Sequence, residues 1–266
     1  MSNFDFAART RDYSRINAYW LGKAAQIAYG TFDAARQETS LWGLAEFQNF
    51  ESKDTETQAF VAGDDAMLIV SFRGTEKALQ DWLTDFDAAF VNGPCGMVHE
   101  GFLVALNSVW KDLWNYLATQ RRGRALWITG HSLGAALAAL TVAKLRFERD
   151  EPVNGLYTFG QPRSGDRDFA SRFDADFGQQ TFRYVNNNDI VARVPPRSSG
   201  YSHVGSFRYF DKNGVQDDQM DWWDKVVDRM KGNIDEILNS KVGIDGVKDH
   251  AIANYVRCLE TAKNSG

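Results

Sequence analysis

Only two cysteines, Cys95 and Cys258, occur in 266 residues, too few for a disulfide framework. The N-terminal stretch is equally poor in what export requires. MSNFDFAARTRDYSRINAYW places charges where a signal peptide needs an unbroken apolar segment, so no secretory signal is expected. The expectation is a cytoplasmic protein with reduced thiols, although leaderless secretion leaves no N-terminal trace. No apolar run reaches the length of a transmembrane helix. Basic blocks are missing too, and the net charge of −5 argues against nucleic-acid binding and gives no electrostatic pull toward an anionic surface. Neither an internal repeat nor a Pro/Gly/Ser-rich linker divides the chain, so residues 1–266 are expected to form one domain. Histidine and cysteine never cluster at ligand spacing, so neither a metal nor an organic cofactor is expected.

What the chain has is core material and one unusual junction. Eighteen phenylalanines and eight tryptophans supply a large core. The junction is Ala125–Leu145, ALWITGHSLGAALAALTVAKL. A short apolar run, Ala125–Thr129, reads as a buried strand. It breaks at Gly130-His-Ser-Leu-Gly134 and resumes as an Ala/Leu-rich helix. Strand, tight turn and helix form the context of a G-x-S-x-G nucleophile elbow. Flanking glycines let backbone and substrate approach Ser132, and the helix N-terminus aims unpaired N–H groups at developing negative charge.

Around this junction the pattern alternates. Ile16–Tyr29 reads as a helix, and Phe47 to Phe72 as two or three strands with a hairpin at Gly63-Asp-Asp65. Beyond Arg73-Gly-Thr75, apolar Leu79, Trp82, Leu83, Phe86 and Phe90 recur at helical spacing. Phe102–Gln120 reads as a helix, Val153–Phe159 as a strand, Asp166–Phe177 as a helix and Thr181–Val185 as a strand. Val204–Phe210 is a last strand; Trp222–Leu238 and His250–Leu259 are helical. Such alternation implies an α/β fold with a mostly parallel central sheet and helices on both faces. Right-handed crossovers then gather the strand C-terminal ends, and the functional groups, on one edge.

A serine becomes a nucleophile when a positioned base takes its proton. The chain has four histidines. His131 adjoins Ser132 and points off the elbow in another direction, and His99 precedes the nucleophile. Chains with such an elbow run in the order nucleophile, acid, histidine, which leaves His203 or His250. Asp189 follows a strand and the polar turn Asn186–Asn188, a suitable place for the acid. Its simpler role would be to cap that turn.

Several motifs together resemble the class 3 lipases, the fungal-lipase-like branch of the α/β-hydrolases. These are Ser71-Phe-Arg-Gly-Thr75, Asp81-Trp82, Val98-His-Glu-Gly-Phe102, Thr129 to Ala138, Tyr157-Thr-Phe-Gly-Gln-Pro162, Asn188 to Pro195, and Asp249-His250 with Tyr255. The likeness covers roughly residues 57–260. It implies Ser132 as nucleophile, Asp189 as acid and His250 as base. It also implies an oxyanion hole from the N–H groups of Thr75 and Leu133, and a lid over 76–90 in which Trp82, Leu83 and Phe86 meet substrate. Two departures stand out. Ala192 occupies a position where proline is common, and the helical insertion around 221–240 has no counterpart in the small fungal enzymes.

The resemblance implies a serine hydrolase that cleaves carboxylic esters of acylglycerols through an acyl-enzyme on Ser132. Phospholipase A1 or aryl-ester (feruloyl-type) esterase activity is the nearer alternative. A non-catalytic lipid- or partner-binding protein is the remoter one. The expected partner is a lipid or other ester, met at a lipid–water interface.

Overall fold

The computed structural model describes residues 4–74, 89–217 and 246–264. Its centre is an eight-stranded sheet. The strands are β1 (Glu46–Ser52), β2 (Thr57–Gly63), β3 (Met67–Phe72), β6 (Ala125–His131), β7 (Gly155–Phe159), β9 (Thr181–Asn186), β11 (Ser206–Phe210) and β12 (Gln216–Asp217), adjacent in that order. β3, β6, β7, β9 and β11 run parallel, while β1, β2 and β12 complete the two ends antiparallel. The hairpin expected at Gly63–Asp65 joins β2 to β3, with Asp64 Oδ1 accepting the N–H groups of Ala66 and Met67.

Strand alternation decides what each face holds. Leu68, Val70 and Phe72 of β3 and Leu126 and Ile128 of β6 point to one side. There they pack on helices α3 (Glu100–Gln120), α4 (Leu133–Arg149) and α5 (Arg167–Phe177). Met67, Ile69, Ala125 and Trp127 point to the other side, onto α1 (Arg15–Ile27) and α6 (Ile252–Asn264). Layers on both faces explain why β3, β6 and β7 are buried along their whole length.

Some local expectations are corrected. An unanticipated helix, α2 (Phe32–Leu41), follows α1, capped by Thr31. Its buried stripe is only Ala35 and Thr39, too thin for a periodic signal. A second, antiparallel sheet of four short strands also went unread: β10 (Tyr201–Ser202), β8 (Gly165–Asp166), β5 (Met97–His99) and β4 (Phe90–Asn92). Phe90 therefore opens a strand and does not continue the helical stripe assigned to it. His250 does not open the last helix; it sits in a turn between a helical turn at 246–249 and α6. The segments 76–88 and 221–240 lie outside the described residues. Among the described residues no helix is long and apolar enough to cross a membrane.

Candidate active site

The strand–turn–helix junction is built as its residues dictate. β6 ends at His131 and α4 begins at Leu133, leaving Ser132 at φ 58°, ψ −130°. A non-glycine residue in that region is strained and persists only where its surroundings hold it. Its N–H donates to Phe159 O at 3.0 Å, which ties the turn to the end of β7. A Cβ on Gly134 would strike the carbonyl oxygen of Phe72, so only glycine lets α4 come this close to β3. Ser132 occupies the N-cap position, yet its side chain makes no capping bond. A capping serine ordinarily spends its oxygen on an N–H of the first turn. Here that oxygen is not committed to the first turn of α4.

Asp189 and His250 meet next to the elbow, where the His250 ring packs on that of His131, the residue before the serine. His250 Nδ1 lies 2.9 and 3.0 Å from the two carboxylate oxygens of Asp189. Asp189 is 0% exposed, and burial alone would raise its pKa. Attraction to the His250 imidazole beside it, and the hydrogen bonds from its N–H and from the Tyr255 hydroxyl, outweigh that penalty and hold the carboxyl below its ordinary value. An ionised carboxylate only accepts, so the imidazole proton sits on Nδ1 and the lone pair on Nε2. Nε2 is buried and has no hydrogen-bond partner among the described residues. That is the tautomer a general base requires.

Asp189 accepts two further bonds. Val191 N–H donates to Oδ1 at 2.8 Å, the turn-capping role, and Tyr255 O–H donates to Oδ2. Tyr255 in turn accepts the N–H of Asn186 at 3.0 Å. The acid and base segments are also laced together directly. Asn187 Nδ2 and Asn188 N–H donate to Asp249 Oδ2, and Asn186 Nδ2 donates to the Asp249 carbonyl. The role of Tyr255 as a carboxylate donor went unread, since nothing in its own neighbourhood points to Asp189. Gly160 completes the floor. It stands at φ +57°, and a Cβ there would lie 2.7 Å from Asp189 Oδ2 and 2.8 Å from His250 Nδ1.

The remaining candidates separate cleanly. His203, the alternative base, gives Nε2 to the carbonyl of Ala192 at 2.8 Å. Burial, with the cations of Arg183 and Arg163, holds it well below its ordinary pKa. His99 caps α3 and lies against Phe102, with ring centroids 4.3 Å apart. Leu133 heads α4, where the first N–H groups have no acceptor within the helix. Thr75, Trp82, Leu83 and Phe86 lie outside the described residues. The chain leading to Thr75 is seen as far as Gly74, whose Cβ would stand 3.1 Å from that of Ser132 and 2.6 Å from the His131 carbonyl oxygen. A hollow of about 690 Å³ at the opposite edge of the sheet, between Arg11, Trp114, Arg122 and Pro152, holds none of these groups. The described residues contain no His/Cys/Asp/Glu group able to hold a metal.

Comparison with known proteins places this geometry. Residues 69–199 match the family model Lipase (class 3). The chain is 31% identical to triacylglycerol lipase OBL1 of Arabidopsis thaliana, over 71% of this chain and 48% of that protein. A crystal structure of a lipase from Rhizopus microsporus var. chinensis superposes with a TM-score of 0.60 at 30% identity, covering 72% of each chain. A triacylglycerol lipase whose catalytic centre is described as a serine protease triad gives 0.62 at 26% identity, over 74% of this chain and 80% of that one. The chain spans about half the length of the curated relatives it matches. With the elbow, the flanking strands and the acid's loop all inside the matched segment, the chain belongs to the class 3 lipase family and has the α/β-hydrolase fold.

Proposed function

We propose that this chain hydrolyses carboxylic esters of acylglycerols through an acyl-enzyme on Ser132. The observation that carries the reading is the His250–Asp189 pair, with a buried Nε2 that has no hydrogen-bond partner among the described residues, packed on the residue that precedes a strained and uncapped serine. In the proposed cycle His250 takes the Ser132 proton as Oγ attacks the acyl carbonyl. Asp189 stabilises the imidazolium, which then protonates the leaving alcohol. Water repeats the sequence on the acyl-enzyme, releasing the acid and restoring Ser132. The N–H groups of Leu133 and Thr75 would bind the oxyanion, each worth about 2.7–4 kcal/mol. The names of the relatives, triacylglycerol lipases and mono- and diacylglycerol lipases, support an acylglycerol substrate.

We read residues 1–266 as one catalytic domain that meets its substrate at a lipid–water interface. The helical spacing of Trp82, Leu83 and Phe86 in the sequence supports their contact with the acyl chain.

Hydrolysis of p-nitrophenyl esters from acetate to palmitate, with Ser132→Ala as blank, tests the proposal. Ser132-dependent turnover rising toward long chains supports a lipase. A maximum at acetate or butyrate makes the protein an esterase of short substrates. Absence of Ser132-dependent turnover at every length defeats the proposal.

A further inference from the structure

His131 is 3% exposed, directly precedes the nucleophile, and has no part in the cycle just described. Both its ring nitrogens are nevertheless engaged. Nε2 lies 2.7 Å from the carbonyl oxygen of His250, and Nδ1 lies 2.6 Å from the hydroxyl of Tyr29. A carbonyl oxygen can only accept, so the proton of His131 sits on Nε2. Nδ1 then offers a lone pair, and the Tyr29 hydroxyl donates to it. Burial and the neighbouring His250 push the His131 pKa down to about 3, so the ring stays neutral. The two bonds thus specify one tautomer.

His250 is the residue that needs such support. It lies between the helical turn at 246–249 and α6, so its carbonyl is outside the hydrogen-bond ladder of α6. The His131 ring also packs against the His250 ring, with centroids 4.4 Å apart and planes inclined by 30°. Main chain and imidazole of the base are therefore held by one side chain, and that side chain is rooted in the residue before the nucleophile. Tyr29 follows the end of α1 and packs over Gly74, where a Cβ would strike its hydroxyl. Any buried imidazole needs partners for its ring nitrogens; what is specific here is that they are the main chain of the base and a tyrosine packed over the elbow.

We propose that His131, locked in its Nε2–H tautomer by the Tyr29 hydroxyl, is the positioning residue that registers His250 against Ser132. The inference rests on Ser132 and His250 acting as nucleophile and base. If His131 acts in this way, its loss slows the steps that use His250 and leaves substrate binding alone.

The experiment compares wild type with His131→Leu, His131→Gln and Tyr29→Phe in the full chain. It measures kcat, KM and the rate at which a fluorophosphonate captures Ser132. His131→Leu keeps the bulk and removes both polar contacts. It should lower kcat and the capture rate in parallel by about 10–100-fold, the range seen when a partner that orients a metal-binding imidazole is removed, with KM unchanged. His131→Gln can both donate and accept, and should recover most of that loss. Tyr29→Phe should show a smaller loss of the same kind. A folded His131→Leu enzyme with wild-type kcat and capture rate, or a loss confined to KM, overturns the inference. Should His131→Leu fail to fold, Tyr29→Phe decides, and a wild-type capture rate there overturns it. If wild type itself shows neither turnover nor capture dependent on Ser132, the acyl-enzyme reading has failed before any variant is compared.

Discussion

The two faces of the central sheet are packed from different materials. The face under α3, α4 and α5 is packed with aliphatic and phenylalanine side chains, such as Leu106, Leu113, Leu137, Phe102, Phe169 and Phe173, against Leu68, Val70, Leu126 and Ile128. The face under α1 and α6 is rich in tyrosine and tryptophan, with Trp20, Trp42, Trp127, Tyr157, Tyr184 and Tyr255. An aliphatic side chain contributes area only. A tyrosine or tryptophan contributes area and one directed polar atom. On the second face those atoms are used. Trp127 Nε1 donates to the Ala8 carbonyl, Trp20 Nε1 to Asp5, and Tyr157 accepts the N–H of Ser14, so the residues before α1 are pinned across the sheet. Tyr255 donates to Asp189, and Tyr29 to His131. One face holds the fold together; the other also aims the reacting groups.

The sharpest way to break this contrast is to remove charge from the tyrosine-rich face while preserving shape. Asp189→Asn should fold normally and lose about 10⁴-fold in kcat, because the amide cannot hold the imidazole in the required tautomer. Titrated turnover with circular dichroism as a folding control checks it. A paired substitution separates the two faces. Leu113→Ala, in the aliphatic core, should cost about 2–5 kcal/mol of stability and leave kcat of the folded enzyme unchanged. Tyr255→Phe should cost about 1–3 kcal/mol and lower kcat as well. Urea unfolding and kinetics on the same preparations decide, and equal effects on kcat would erase the distinction.

A further effect, on stability alone, is a pH dependence. His131 is held neutral with a pKa near 3, against about 6.5 in an unfolded chain. Between those values the unfolded state binds the extra proton, so stability declines as pH falls below about 6.5, by up to about 1.4 kcal/mol per unit. The Asp189 carboxyl, lowered in the fold, adds its own loss only at more acid pH. Urea midpoints at pH 6.5 and 4.5 should therefore separate less in His131→Gln than in wild type.

What the sequence revealed follows the distance over which each feature is encoded. The elbow was legible because strand, glycines, serine and helix are contiguous, and β1 to β3 because their apolar residues repeat. The small sheet was not, since strands of two or three residues are shorter than any period. Phe90 was misplaced because one aromatic residue fits a helical stripe as well as a strand. From local order alone, His203 and His250 remained equal candidates; what separates them is a carbonyl at Ala192 and a carboxylate at Asp189, both distant in the chain. The partners of His131, Tyr29 and the His250 carbonyl, were not readable, because they belong to α1's end and the turn before α6.

Gly160 carries an implication for how such an enzyme can diversify. Any side chain there would meet both the carboxylate and the imidazole, on a backbone already at φ +57°. Natural variation can exchange what surrounds the acyl chain, lengthen segments between strands, and so change which ester is taken. It has no intermediate route through this position. In a saturation library selected for ester hydrolysis, residue 160 should return only its original codon family, whatever substrate is applied.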